Sequence, residues 1–489
     1  MAITAGGSLN SVAAPLRQTL STNYIDFTAT ATAGWAQQYL PDLMEREAEV
    51  FGNRSIAGFL SQVGAEEAMS SDQVIWSEQG RLHLSYNGTV ITAQNYITIG
   101  TDIDGNAAGV SHGIRAGDTI IVSSATTTVK CYVQTINPDT DNEAEILVLP
   151  YTGVATLGGH FASNDTVTVL VYGSEYAKGT DGRAGANTPQ FQTFTNKPMI
   201  LKDKYEISGS DASAIGWVEV SGEAGQAGYM WYLKAEGDTR MRFADYLEMS
   251  MLEAVNGGAN NTIDTFFAAG GFSGIAATGA GAAVGSEGLF AAIETRGNMT
   301  SGVTGTSWAT DLAEFDAILA EFDRQGSIEE NMMFVNRNTS LAIDDMLAGI
   351  NGGYAGGASF GVFENDADMA LNLGFSGFRR GSYDFYKSDF KYLNDRGTRG
   401  GLLDTVNAIR GVIIPAGVSS VYDQQLGKNL KRPFLHVRYR ASQTEDRRMK
   451  TWVTGSVGAV TSSLDAMEIH YLSERCLVTQ GANNFMLMN

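Results

Sequence analysis

The chain has 489 residues, of which 43% are hydrophobic and 18% are charged, so it is long enough for two to four folded units and too apolar for an intrinsically disordered protein. A formal net charge of −21 disfavours a general nucleic-acid-binding protein and a protein that binds anionic lipid, because both ligands are themselves negative. No stretch approaches the ~18 apolar residues of a membrane span, and the N-terminus lacks the basic start and apolar core of a signal peptide, so we expect neither membrane insertion nor secretion by that route.

The two cysteines, Cys131 and Cys476, lie far apart and form neither a CxxC motif nor a disulfide framework. This pattern favours a reducing cytoplasm as the compartment. Residues 1–35 are small and polar, which is typical of an extended arm that another surface must order. We place this N-terminal arm at residues 1–70.

A β region follows the arm. Apolar and polar residues roughly alternate over residues 74–99, and Gly, Asn, Asp and Ser turns separate further strand patterns at residues 118–123, 129–136, 146–149 and 166–172. Four or more short strands predict a small β-barrel or β-sandwich, and the choice between the two stays open. We place this inserted β domain at residues 96–178.

Extended segments flank the inserted domain. The Gly-rich residues 179–187 are typical of a hinge or a loop tip, and residues 193–201 and 204–207 are extended again. We expect these last two segments to pair with residues 76–84. Such pairing predicts one long two-stranded excursion, an extended loop made of residues 71–95 and 179–216.

The strongest helical pattern covers residues 226–255, which carry an apolar residue at every fourth position, at Phe243, Leu247, Met251 and Val255. Asn256-Gly-Gly258 follows as a stop. At 1.5 Å per residue this helix would be ~45 Å long, which suggests a spine for other elements. The Gly/Ala/Thr-rich residues 257–307 predict irregular structure with short ordered pieces.

An α/β pattern occupies the rest of the chain. Thr310 would cap a second helix that Gly326 ends, and its buried stripe would contain Leu312, Phe315, Leu319 and Phe322. A buried strand is predicted at residues 332–336 and a helix at residues 341–347. Asn338 or Thr339 would be the N-cap of this helix. Further strand patterns, which predict a closing sheet, lie at residues 412–415, 434–439, 451–454 and 467–472.

The order of arm, long β excursion, long helix, α/β subdomain and returning strands resembles the Hong Kong ninety-seven type fold of tailed-bacteriophage major capsid proteins. The resemblance covers most of the chain and is strongest in residues 193–217, in the 227–255 helix to which they lead, and in residues 331–346. The β domain inserted at residues 96–178 departs from the family pattern.

The resemblance implies an α+β fold composed of an N-terminal arm, an extended loop, a peripheral domain with a spine helix, and an axial domain. We place the peripheral domain with its spine helix at residues 217–310 and the axial domain at residues 311–430. The returning strands of both would occupy residues 431–489.

The family also implies a structural function. Hexamers and pentamers of one chain would self-assemble into an icosahedral head that encloses double-stranded DNA without sequence-specific binding, catalytic activity or a cofactor. The chain would bind other copies of itself and scaffolding, portal and decoration proteins. It would be located in the virion capsid, after assembly in the host bacterial cytoplasm. The alternative is a secreted or surface-exposed β-rich adhesin or surface-layer protein, which the long helix, the α/β unit and the missing signal peptide disfavour.

Candidate contacts between subunits fall into two groups. An arm and a long hairpin cannot bury their own apolar side chains, so neighbouring subunits would cover the aromatic residues Trp35, Tyr39, Trp76, Phe191 and Phe194. Packing on their own subunit is an equal alternative. A basic run in an otherwise acidic chain could contact acidic neighbours through Arg438, Arg440, Arg447 and Arg448. For this run, a solvated strand and a patch that faces DNA are the alternatives.

No motif has catalytic or metal-binding spacing. Gly109-Val-Ser-His-Gly113 matches G-x-S-x-G, but the residues after it lead into another strand rather than a helix, so a β turn is expected. The five histidines lack ligand spacing, and Asp102-Ile-Asp-Gly-Asn106 does not complete a calcium loop, which favours a solvated turn. Some family members crosslink through a Lys of the extended loop, but no motif selects one of Lys178, Lys197, Lys202 and Lys204, so we expect noncovalent contacts.

Overall fold

The structure is a computed structural model that describes residues 2–4, 10–12, 58–60, 65–81, 83–137, 144–182, 191–214, 230–258, 260–271, 284–353, 377–402, 408–416, 418–423, 428–456 and 461–489. The chain divides into two compact units. Unit 1 comprises Met1–Ile75 and Thr195–Asn489, and unit 2 comprises Trp76–Phe194. Unit 2 therefore interrupts unit 1 along the chain. The predicted mixture of helices and strands is confirmed.

The strands of the described residues are numbered in chain order as β1 (Ala2–Thr4), β2 (Asn10–Val12), β3 (Ala65–Met69), β4 (Val74–Gln79), β5 (Ser85–Ile91), β6 (Tyr96–Asp102), β7 (Asp118–Ser123), β8 (Thr128–Ile136), β9 (Glu145–Pro150), β10 (Thr166–Ser174), β11 (Phe191–Asn196), β12 (Met199–Ser208), β13 (Asn298–Thr300), β14 (Glu330–Val335), β15 (Gly377–Arg380), β16 (Tyr383–Asp389), β17 (Gly411–Pro415), β18 (Val418–Asp423), β19 (Lys428–Pro433), β20 (Leu435–Arg440), β21 (Lys450–Gly455), β22 (Ala466–Thr479) and β23 (Met486–Met488).

The helices of the same residues are α1 (Gly209–Ala214), α2 (Met230–Glu253), α3 (Thr262–Ala268), α4 (Leu289–Arg296), α5 (Trp308–Gln325), α6 (Arg337–Gly353) and α7 (Lys391–Asn394). Short 3-10 turns occupy Gly109–Ser111, Leu157–Gly159, Arg399–Leu402 and Ala482–Asn484. In the region that we expected to be irregular, residues 257–307, the short elements are α3, α4 and β13.

Unit 2 contains a closed barrel of six strands in the order β10-β5-β6-β9-β8-β7, with β7 paired back to β10. Of the two topologies that the sequence left open, the barrel is the one observed. Gly88 lies at a register shift between β5 and β6, where a Cβ would lie 2.7 Å from the carbonyl oxygen of Thr98, so the close approach of these strands requires glycine. Alternate side chains point inward and fill one core, which includes Val90, Ile97, Ile99, Ile120, Val122, Cys131, Val133, Ile146, Val148, Val167 and Val169.

Strands β4 and β11 form a two-stranded sheet of their own, with the barrel between them in the chain. This pairing confirms part of the predicted excursion. The prediction was wrong for residues 199–201 and 204–207, which belong to β12 and pair antiparallel with β22, where Tyr205 lies opposite Ile469. The reason is burial: Tyr205 and Ile207 face inward and pack with Phe243 of α2, and a solvated ribbon offers no such cover.

The first sheet of unit 1 has the order β12-β22-β20-β3, and β21 also pairs with β22. Strand β22 is 14 residues long and pairs with β12 and β21 along its first part and with β20 along its last. The returning strands predicted at residues 434–439, 451–454 and 467–472 are therefore confirmed, and β22 continues to Thr479. This long strand holds the sheet together.

Helix α2 follows the predicted apolar pattern in Phe243, Leu247 and Met251, which are all buried. The ring of Phe243 lies 5.8 Å from that of Tyr471 on β22, centroid to centroid. The prediction was wrong for Val255, which is 67% exposed and follows the end of the helix at Glu253. The chain leaves the helical path because the loop before α4 binds the helix end, and the N–H of Gly288 donates to the carbonyl of Ala254 at 2.8 Å. Residues 226–229 of the predicted helix lie outside the described residues.

The second sheet of unit 1 has the order β13-β23-β17-β14-β16-β15. The predicted strands at residues 332–336 and 412–415 are its central neighbours β14 and β17, which run antiparallel. Helices α5 and α6 pack on this sheet through buried side chains that include Phe315, Phe322, Ile343 and Met346. The predicted α/β arrangement of this region is confirmed.

Helix α5 has a different cap from the predicted one. The hydroxyl of Ser307 accepts a hydrogen bond from the backbone N–H of Thr310 at 3.3 Å, so Ser307 is the N-cap and Thr310 lies inside the helix. Gly326, with φ of 67°, ends the helix as predicted. Within the predicted stripe Phe315 and Phe322 are fully buried, while Leu312 and Leu319 pack at its edge.

Helix α6 also begins earlier than predicted. The side chain of Asn336 accepts from the backbone N–H of Thr339 at 2.8 Å, so the capping group lies upstream of Asn338 and Thr339, the two residues that the sequence suggested. Several nearby polar residues fit the cap pattern, and only the backbone geometry selects one.

Candidate functional site: surfaces for subunit contact

The chain just before β3 is anchored in the main core of unit 1. Phe59 and Leu60 are buried, and the Phe59 ring lies 4.6 Å from the ring of Phe390 and 4.7 Å from that of Phe334, centroid to centroid. The carboxylate of Glu248 on α2 accepts from the backbone N–H of Gly58 at 3.2 Å and of Leu60 at 3.1 Å. Burial raises the pKa of Glu248, although these two N–H groups oppose the shift. The segment 58–60 is therefore a fixed base for the residues that precede it.

Strand β3 is attached to β20 as a parallel neighbour, and ion pairs reinforce the attachment. Arg438 lies 2.8 Å from Glu67, and Arg448 pairs with Glu66. Arg475, which is 7% exposed, lies 3.6 Å from Glu66 as well. The largest influence on the pKa of Arg475 is burial, which lowers it.

Two further arginines of the predicted basic run pair in the same way. Arg440 contacts Asp72 and lies 3.6 Å from Glu474, and Arg447 lies 2.9 Å from Glu474. Acidic side chains of the same chain therefore pair with all four arginines. A neighbouring subunit or a DNA phosphate would have to compete with these carboxylates, and a role in subunit contact stays a prediction for all four arginines.

The aromatic candidates are only partly described. Trp35 and Tyr39 lie outside the described residues, as does the side chain of Phe191. Trp76 is 7% exposed, and its ring lies 6.0 Å from that of Phe194 across the ribbon of β4 and β11. These two rings pack on their own chain, the alternative that the sequence left open, and their contact with a neighbouring subunit stays a prediction.

The ribbon exposes a different apolar residue, which sequence analysis did not select. Ile75 in β4 is 64% exposed and points to the face opposite Trp76, because side chains alternate along a strand. The sequence of Val74-Ile-Trp76 shows that Ile75 and Trp76 lie on opposite faces of the strand. It does not show which of these two faces is covered.

The motif regions form local turns, as predicted. Ser111 lies in the turn Gly109–Ser111, and the chain continues in an extended form toward β7 instead of entering a helix. The carboxylate of Asp102 accepts from the backbone N–H of Asn106 at 2.8 Å, which closes a turn on itself. Asp104 pairs with Arg81 at 3.2 Å.

Among the described ranges, no group of three or more His, Cys, Asp or Glu side chains could hold a metal ion. Lys204, one of the lysines considered for crosslinking, lies 2.7 Å from Glu206 and 3.1 Å from Glu468. Across that same part of the chain, no helix combines the length and apolarity required to cross a bilayer.

No protein-family description matches the chain, and no curated protein matches it. Among solved structures it is similar to a chain of Mycobacterium phage Ogopogo, with a TM-score of 0.40 and 10% identity over 91% of this chain and 96% of that one. It is similar to the capsid of the cyanophage P-SCSP1u, with a TM-score of 0.39 and 7% identity over 92% of each chain. It is also similar to the capsid of a native GTA particle, with a TM-score of 0.37 and 9% identity over 95% of this chain and 98% of that one.

TM-scores below 0.5 do not establish a shared fold, so the assignment of function rests on the contacts of the chain itself. Two of these three structures are described as capsids.

Proposed function

We propose that the chain is the major capsid protein of a tailed double-stranded DNA bacteriophage. Hexamers and pentamers of it would close into an icosahedral head around the genome, assembled in the cytoplasm of the host bacterium. The peripheral and axial domains would have the boundaries given by the sequence. The arm would be the part of residues 1–70 that precedes Gly58, and the extended loop would lose β5 to the barrel of unit 2 that is inserted in it. The chain would act without catalysis.

The observation that carries this proposal is the isolated ribbon of β4 and β11. Within the described residues it shares no strand with any other sheet or with the barrel, and Ile75 is 64% exposed on one of its faces. A two-stranded ribbon alone is marginally stable in water. Cover from a neighbouring subunit would bury Ile75 and stabilise the ribbon, as the resemblance to shell proteins implies.

The anchor of the N-terminal region supports the same function. Phe59 and Leu60 lie in the core, and β3 is held by several ion pairs, so the segment 58–60 is a rigid attachment point for an arm. Such an attachment point would transmit a force on the arm to the core of unit 1. This is the mechanical property that a clasping arm needs in a shell.

The charge of the chain fits an assembly made of many copies. A net charge of −21 keeps concentrated subunits soluble before assembly and opposes adhesion of the packaged DNA to the shell. Contacts between copies must then be local and apolar or matched in charge. Scaffolding, portal and decoration proteins would be the further partners, and uniform shells from purified chain alone would refute the need for a scaffold.

The test compares assembly of the wild type with that of Ile75→Asp by sedimentation and negative-stain microscopy. Ile75 is already exposed in the single chain, so the substitution should change the free energy of unfolding by less than ~0.5 kcal/mol. It should nevertheless reduce assembly strongly, since a carboxylate would be buried between subunits. Ile103→Asp, at a residue 45% exposed in a turn of unit 2, is the matched control and should assemble normally.

Equal assembly of Ile75→Asp and wild type would remove the observation on which the proposal rests. Loss of assembly in Ile103→Asp to the same extent would show a general effect of added charge instead of a specific contact.

A further inference from the structure

One face of the barrel in unit 2 carries outward side chains on four adjacent strands. Leu170 of β10 lies opposite Ile121 of β7, and Ile121 lies opposite Lys130 of β8. The next residue in this row is Tyr151, whose N–H donates to the carbonyl of Lys130 at 3.0 Å. Because directly opposed residues of antiparallel strands point to the same side, the four side chains form one row.

A second row lies beside the first. Tyr132 of β8 is opposite Leu149 of β9, and Tyr172 of β10 lies at a register shift with β7. The ammonium group of Lys130 lies 5.8 Å from the centroid of the Tyr172 ring, which joins the two rows. We call this surface the barrel outer face, defined by Ile121, Lys130, Tyr132, Leu149, Tyr151, Leu170 and Tyr172.

The barrel outer face is a contiguous apolar patch on the surface of the barrel. Tyr151 and Tyr172 are each 50% exposed, and Leu149 and Leu170 are each 40% exposed. Together with the partly buried Ile121 and Tyr132 they present ~400 Å² of apolar surface, within the range of the largest patch on a typical monomer. Exposed tyrosines are also among the residues that contribute most to protein interfaces.

The charges of this face are balanced, in contrast to those of the whole chain. Its cation is Lys130, and at its border the hydroxyl of Tyr151 donates to the carboxylate of Glu175. One positive and one negative charge sum to zero, on a chain with a net charge of −21. Two copies, each with a net charge of −21, repel each other overall, whereas a face with one cation and one anion is matched to itself.

We propose that the barrel outer face binds the same face on a second copy of this chain, in a twofold contact that places Lys130 of each copy near Glu175 of the other. The inference rests on the proposed function. About 400 Å² per partner is half of the ~800 Å² per partner of a standard stable complex. The contact therefore persists only where other contacts hold the copies together, as in a shell.

The first test is disulfide crosslinking of assembled full-length chain. The proposed contact places the twofold axis between Lys130 and Glu175, and the Tyr172 ring lies 5.8 Å from the Lys130 ammonium group. Tyr172→Cys should therefore give a covalent dimer on mild oxidation, because residues near a twofold axis meet their own copies. Ile103→Cys, outside the barrel outer face, is the control and should give none. The native thiols should not react, because Cys131 and Cys476 are buried and burial raises the pKa of each to about 12.

The second test is a charge exchange. Lys130→Glu and Glu175→Lys should each weaken the Tyr172→Cys crosslink, because each places like charges opposite one another. The combined variant should restore it, since the pairing is only inverted. A saccharide or an unrelated protein bound to this face would produce no such restoration.

The outcomes separate the two proposals. If the wild type assembles but Tyr172→Cys yields no dimer, or the exchange fails to restore it, the inference is overturned and the proposed function stands. If the wild type does not assemble at all, the proposed function fails, and this inference fails with it.

Discussion

Replacement of Phe59 by Ala tests the anchor of the N-terminal region. Phe59 is 5% exposed and contacts the rings of Phe334 and Phe390. Removing a buried phenyl group forfeits ~2–3 kcal/mol of transfer free energy, and each of the two ring contacts contributes ~0.5–1.5 kcal/mol more. We expect the free energy of unfolding to fall by ~4 kcal/mol, within the ~3–5 kcal/mol observed for such truncations.

The assay is urea unfolding followed by the helical circular-dichroism signal. The α-helices of the described residues all lie in unit 1, so this signal reports on the unit that contains Phe59. Tyr386→Ala is the control, because Tyr386 is 54% exposed on β16 and its removal should cost ~1 kcal/mol or less. A loss below ~1 kcal/mol for Phe59→Ala would show that the segment is not held in the core, and the reasoning about a rigid base would be wrong.

The remaining predictions concern single contacts in unit 1. Lys387→Met should lower the free energy of unfolding by ~3–5 kcal/mol, because it removes the ammonium group that lies 2.5 Å from the buried carboxylate of Asp344. Adding Asp344→Leu should recover most of the loss in the same urea assay. Burial would raise the pKa of Glu468, but hydrogen bonds from Lys204 and Thr454 lower it below 4.5. The ionised form of Glu468 therefore stabilises the fold above pH 4.5, and this stabilisation is lost as the pH falls further. Lys204→Met should therefore flatten the fall of the urea midpoint below pH 4.5, and an unchanged profile would contradict this assignment. Gly455→Ala should cost at least ~2 kcal/mol in thermal or urea unfolding, because φ is 126° there and a Cβ would overlap a carbonyl of β22.

Local periodicity was sufficient to predict the elements of the fold. Phe243, Leu247 and Met251 repeat on one helix face, and that face is buried on the sheet. Val255 continues the same period but lies beyond the helix end, where a bond from the distant loop at Gly288 decides the path of the chain. A pattern within a segment predicts its type, whereas its end depends on whatever packs against it.

The pairing of strands was less accessible to sequence analysis. Residues 204–207 alternate as well as residues 193–196 do, so the sequence could not tell that only the second segment pairs with β4. What separates them is the helix that covers Tyr205 and Ile207. Likewise, barrel closure depends on the pairing of β7 with β10, a non-local contact that the sequence of neither strand predicts.

The candidate contacts show the same limit. The basic run between Lys428 and Lys450 was evident in the sequence, but the carboxylate partners of its arginines lie far away along the chain. The hydrogen bond of Arg440 to Asp72, for example, joins residues 368 positions apart. The barrel outer face was missed because its exposed residues lie in β9 (Leu149), directly after β9 (Tyr151) and in β10 (Leu170 and Tyr172). These segments become part of one surface only when the barrel closes.

Electron microscopy of the overexpressed full-length chain tests the central claim most directly. We expect closed shells, or rings of five and six subunits, whose formation depends on the exposed face of Ile75 in the ribbon. Protein that stays strictly monomeric at high concentration would contradict the proposal that the chain is a shell subunit.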